Sequence, residues 1–134
     1  MAFDPKTIPG PDEDDPLTRK VIGLAIEVHR HLGPGLLESV YEECLCWELE
    51  QTSLTYHRQV HLPLIYKGTR IETGFRMDLV IEDALIIELK AIDKVLPIHI
   101  AQLLTYLKLA RIPKGLILNF NTPVLKDGIV RRVL

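Results

Sequence analysis

No run of eighteen apolar residues occurs in this 134-residue chain, so no segment reads as a membrane-spanning helix. The opening residues, Met-Ala-Phe-Asp-Pro-Lys-Thr, lack a basic start followed by an apolar stretch, and no signal peptide is expected. Cysteine is scarce. Cys44 and Cys46 stand two apart, which on a helix points them in different directions and excludes both a mutual disulfide and a CxxC site. Reduced thiols and a cytoplasmic location are the expectation. A surplus of one charge is missing too. A net charge of −2 does not mark a strong stand-alone nucleic-acid binder. Any grip on a polyanion has to come from a local patch and should weaken with salt. Internal repeats and low-complexity tracts are absent, and the single Trp47 is thin material for base stacking.

What is present suits one globular α/β domain. Apolar residues make up 47% of the chain, enough at this length to bury a core. Residues 1–15 hold five acids against Lys6, together with several prolines, and read as a flexible acidic arm. Residues 16–134 form the folded domain and carry a slight basic excess. Within it, residues 17–32 read as a helix, with Val21, Leu24, Ala25 and Val28 on its apolar stripe and Asp15-Pro16 at its start. His29 is expected at the surface or boundary. A second helix follows from about residue 36 to 51. Gly35 is expected as its N-cap and Glu38 at its third position, with Leu37, Val40, Tyr41, Cys44, Leu45 and Leu49 as its apolar side and Trp47 partly buried. Residues 57–66 read as one strand that Pro63 demotes to an edge or bulges. A return strand begins at Thr69, and Gly74 suggests a bend within it. Residues 115–120 form a continuous apolar strand, consistent with a parallel pairing reached by a helical crossover. The expected order is ααβββαββ: a mixed central sheet flanked by helices.

The stretch 76–106 organises the rest. It reads as strand, tight turn, strand, helix. Asp78 interrupts the apolar run of the first strand, and Glu88 and Lys90 that of the second. Alternation puts Glu88 and Lys90 on one face and Leu85, Ile87 and Leu89 on the other. Asp78 lies on the face opposite Met77, Leu79 and Ile81. A three-residue turn, Glu82-Asp83-Ala84, sets Asp78 directly across from Glu88, whereas a two-residue turn would set it across from Ile87 on the wrong face. The three-residue turn is the expectation, because Asp tolerates a left-handed backbone. Two carboxylates at contact distance repel, and burying them unpaired is costly. A divalent cation removes that difficulty: Mg²⁺ prefers hard oxygens, takes one or two carboxylates and keeps several waters. Lys90 beside it would position or deprotonate a water. The spacing equally allows a three-charge ion-pair network on a solvated face.

Asp78 followed after nine residues by Glu88-Leu89-Lys90 resembles the D…(D/E)xK signature of the PD-(D/E)XK nuclease superfamily. Upstream, Gly35-Leu36-Leu37-Glu38-Ser39-Val40-Tyr41 is similar to the motif that names its small bacterial GxxExxY family. Downstream, Gln102-Leu103-Leu104-Thr105-Tyr106 is similar to the QxxxY helix motif of exonuclease-type members. Met77 stands where the superfamily name has proline. The resemblance, which runs from about residue 17 to the end, implies a restriction-endonuclease-like core and a nuclease dependent on Mg²⁺ or Mn²⁺. It implies Asp78 and Glu88 as metal ligands, Glu38 as a further carboxylate, Lys90 as the residue that handles the attacking water, and Gln102 and Tyr106 as its support. The implied partner is nucleic acid, DNA ahead of RNA, with no membrane. A homodimer, or a helicase or methyltransferase partner, would supply the missing reading element. The alternative is a catalytically silent module of the same fold that binds nucleic acid or a protein.

Overall fold

The computed structural model describes residues 15–134, so the acidic arm expected over 1–15 lies outside the described residues except for Asp15. Helix α1 is Pro16–Leu32 and α2 is Glu38–Glu50. Strands follow at Tyr56–His61 (β1), Leu64–Tyr66 (β2), Thr69–Ile71 (β3), Arg76–Ile81 (β4) and Leu85–Lys90 (β5). Helix α3, Pro97–Ala110, crosses to β6 at Lys114–Asn119, and a 3₁₀ turn at Leu125–Gly128 leads into β7 at Ile129–Val133. The main sheet has the order β1-β4-β5-β6-β7, and β2 and β3 form a separate hairpin. Among the described residues only β5 and β6 pair in parallel, as the α3 crossover requires. It is a single α/β domain with a mixed sheet between helical layers.

The helices start where the chain supplies partners for their free amides. Asp15 caps α1 by accepting from the Thr18 amide at 2.8 Å, and it also pairs with Lys114 of β6. Gly33 closes α1 with a positive φ (68°) that its lack of Cβ permits, its amide donating to the His29 carbonyl. Helices α1 and α2 pack on one face of the sheet through Val21, Val28, Tyr41 and Leu45 against Leu79, Ile87 and Leu118. On the other face α3 seats Leu103, Tyr106 and Leu107 against Val80, Ile86 and Ile117. Strand β5 is buried on both faces, which is why its sequence is an almost unbroken apolar run.

Several expectations are corrected. The single strand expected over 57–66 is two, because Leu62 and Pro63 carry the chain out of the main sheet. The return strand is likewise split by 72–75, where Gly74 has φ 76°. Helix α2 begins after Leu37, so Glu38 occupies its first position rather than the third, and no side chain caps it. Leu37 and Val40 are exposed, and Trp47 is 61% exposed. In their place Cys46 joins the core. His29 is buried, its Nε2 2.8 Å from the Thr122 carbonyl oxygen. Met77 packs in the α3 layer although Leu79 packs in the other, so strict alternation slips at Asp78.

Asn119 is the buried polar residue of β6. Its Oδ1 accepts from the amides of Ile92 and Asn121, and its Nδ2 donates to the Ile92 carbonyl oxygen at 2.9 Å. These bonds fasten the loop that leaves β5 just after Lys90. Asn119→Ala would leave the Ile92 amide and carbonyl without partners, and a loss of about 2–4 kcal/mol is expected in urea unfolding. A variant as stable as wild type would show that water replaces the clamp.

Candidate active site

The turn between β4 and β5 is the three-residue one. Leu79 pairs with Ile87, Val80 with Ile86 and Ile81 with Leu85, and this register sets Asp78 across from Glu88. Both Glu82 (φ 55°) and Asp83 (φ 51°) are left-handed. The turn is held by the Glu82 amide donating to the Thr55 carbonyl at 2.9 Å, and by Thr55 Oγ1 donating to the Glu82 carboxylate at 2.7 Å.

At Asp78 the regular ladder is interrupted on both sides. On the β5 side it ends at Leu79–Ile87. On the β1 side it skips the position across from Asp78, where Gln59 takes φ 51°. Side chains fill the gap left by the backbone. The Asp78 amide donates to Glu88 Oε1 at 3.2 Å, and the Leu89 amide donates to Asp78 Oδ2 at 2.9 Å. Each carboxylate is thus anchored to the opposite strand, and the two are held against each other by the backbone itself. Gln59 Nε2 reaches Asp78 Oδ1 at 3.4 Å and Glu42 Oε1 of α2 at 2.7 Å.

The electrostatics follow from this crowding. Glu88 is only 6% exposed. Burial first, then the charge of Asp78 and a carboxyl–carboxyl hydrogen bond with it, push Glu88 up to about 9, against the opposing pull of the Asp78 amide and Lys90. Glu38, at the solvent rim on the first turn of α2, is also raised. The causes are partial withdrawal of its carboxyl from water, then the Asp78 charge, with Lys90 opposing and Glu42 adding. Tyr106 is raised by burial and by the charges of Glu88 and Asp78, while the Arg76 backbone amide at its hydroxyl pulls the other way.

The structure therefore brings Asp78, Glu88, Lys90, Glu38 and Tyr106 into one electrostatic cluster at the open end of the β4–β5 hairpin. Gln102 lies one turn before Tyr106 on α3, exposed, and lines a groove with it rather than touching the carboxylates. Tyr41 is a packing residue. It stacks on Phe120 with centroids 4.5 Å apart, donates to the Gly33 carbonyl at 2.7 Å and accepts from the Leu36 amide at 3.1 Å, which fixes the loop that delivers Glu38. Sequence reasoning missed Glu42 and Gln59. Glu42 had a signal, since it lies four residues after Glu38 on the same helix face. Gln59 had none.

The residues fit a divalent cation in their donor chemistry. Two hard-oxygen carboxylates face each other, and burial together with the Asp78 charge makes Glu88 hold its proton far above the usual carboxylate range, a condition that a cation relieves. Among the described residues no three acidic, histidine or cysteine side chains are grouped so as to hold a metal ion, so waters would complete the coordination.

A family model described as the PD-(D/E)XK nuclease superfamily matches residues 15–133. The chain belongs to that superfamily. Neither the curated proteins nor the solved structures give a match. The PD-(D/E)XK match covers every described element, and nucleases of this superfamily generally use divalent metals such as Mg²⁺. Among the described residues no helix is long and apolar enough to cross a membrane.

Proposed function

We propose that this PD-(D/E)XK domain is a metal-dependent nuclease that hydrolyses phosphodiester bonds of nucleic acid, DNA ahead of RNA, and that it belongs to the GxxExxY branch of the superfamily. The observation that carries the reading is the carboxylate pair built into the gap in the ladder, with Lys90 beside it. An ion-pair network needs no such construction, because it would match each acid to a base rather than force Glu88 against Asp78. Asp78 and Glu88 would hold Mg²⁺ or Mn²⁺, with Glu38 reaching it through water. A bound divalent cation supplies Lewis acidity at the phosphate and eases deprotonation of water. Lys90 orients the attacking water and neutralises phosphate charge. Tyr106 fixes the start of β4 through Arg76. In the GxxExxY motif, Tyr41 ties down the loop at 33–36 and Glu38 is what that loop presents.

The test is a cleavage assay on labelled single-stranded DNA, duplex DNA and RNA with Mg²⁺, Mn²⁺ or EDTA, with Lys90→Ala purified in parallel. Metal-dependent cleavage that the variant loses is expected. Cleavage surviving in the variant would trace the activity to a contaminant. Inactivity of both proteins on all three substrates would favour the silent module.

A further inference from the structure

Beside the carboxylate pair runs a groove of about 410 Å³ between the segment preceding β4 and the part of α3 from Ile98 to Tyr106. Phe75, Ile98, Ala101 and Tyr106 form its walls. The Phe75 and Tyr106 rings stand 5.8 Å apart, and Ile98 is 69% exposed, so a large apolar side chain faces solvent at the mouth. Tyr106 is shared by the groove and the candidate site: its side chain lines the one, and its hydroxyl feels Glu88 and Asp78 of the other.

Its polar groups are of both kinds. Thr105 Oγ1 donates to the Ala101 carbonyl at 3.1 Å and keeps its lone pairs free to accept. His99 Nδ1 accepts from the Leu96 amide at 2.9 Å, which in the neutral ring leaves the proton on Nε2 as a donor. Gln102 offers a donor and an acceptor and is exposed. None of the lining residues is lysine or arginine, so the groove is not a phosphate seat. Apolar walls that include two aromatic rings tilted 56° to each other, with Ile98 exposed at the mouth and mixed donors and acceptors at the rim, suit the apolar face and polar edge of a nucleobase.

We infer that this groove holds an unpaired base of the strand whose phosphate faces the cation that Asp78 and Glu88 would hold, which makes a single strand or a frayed end the substrate. A base inside a duplex has its faces stacked and its pairing edge occupied, and cannot enter. The inference rests on the nuclease reading for where the phosphate lies, but its test needs no cleavage.

Fluorescence anisotropy in EDTA compares the full chain bound to a labelled thymidine oligomer, an abasic oligomer of equal length and a duplex. The base-bearing strand is expected to bind at least about fivefold more tightly than the abasic one, the effect of a single stacked base. Ile98→Ser should shrink that ratio toward one. Ala101→Arg should fill the groove and also remove the preference while tightening abasic binding through its charge. Both positions are exposed, so the fold should survive. Equal binding of base-bearing and abasic strands, or a preference unchanged in both variants, overturns the pocket. Base preference without cleavage would instead sink the nuclease reading and leave the pocket standing.

Discussion

Asp78→Asn is expected to lower metal-dependent cleavage by at least about 10³-fold, the several kcal/mol that charge stabilisation by a bound cation supplies. The fold should be kept. Asparagine Oδ1 can still accept from the Leu89 amide, the bond that anchors residue 78 across the gap. The charge is removed, and with it the long contact at 3.4 Å from Gln59 Nε2, because the asparagine NH2 then stands where Asp78 Oδ1 accepted it. A thermal melt without metal should therefore show a variant no less stable than wild type, because Glu88 then loses its nearest like charge. Adding Mg²⁺ or Mn²⁺ should raise the wild-type melting temperature and leave the variant where it was. Near-wild-type cleavage by Asp78→Asn would remove Asp78 from the reaction.

Metal-free protein should lose stability as pH rises from about 5 to about 9. The sign comes from Glu88. Its carboxyl is raised in the folded state from 4.5 to about 9, chiefly by burial and by Asp78. The folded state thus holds a proton that the unfolded chain releases. The stabilising contribution is complete below about 4.5 and fades as pH climbs toward the folded value. Glu38 is raised as well and adds in the same direction. Glu88→Gln, which keeps a hydrogen-bonding side chain with no proton to lose, should flatten the profile. At pH 8 it should be more stable than wild type by on the order of 2–3 kcal/mol, or about 5–10 °C in a melt. Differential scanning calorimetry in EDTA across this range checks it. Parallel profiles for the two proteins would show that Glu88 ionises freely, through access to water.

Both outcomes depend on a juxtaposition that could be read from the sequence because it follows from counting. Once the turn has three residues, the period-two strand leaves one place for Glu88. The start of α1 at Asp15-Pro16 and the parallel β5–β6 pair were legible for similarly local reasons: a capping carboxylate beside a proline without an amide, and an apolar run too long for one-sided burial. The misses needed contacts between distant segments. Glu38 stands at the first helical position because the Tyr41 hydroxyl ties down the preceding loop. Gln59 adopts a left-handed backbone with no glycine to announce it, and its role depends on Glu42 and Asp78 arriving from two other elements. Met77 changes layers because β4 loses its regular pairing one residue later.

The two hydrogen bonds that bridge the gap make the backbone a built-in voltmeter. The Asp78 and Leu89 amides each donate to a carboxylate, so their proton resonances report the charge on Glu88 and Asp78 without any added probe. A nitrogen–proton correlation spectrum followed through a pH or Mn²⁺-free Mg²⁺ titration would move these two peaks ahead of the rest. The pH at which the Asp78 amide peak moves would mark where Glu88 gives up its proton.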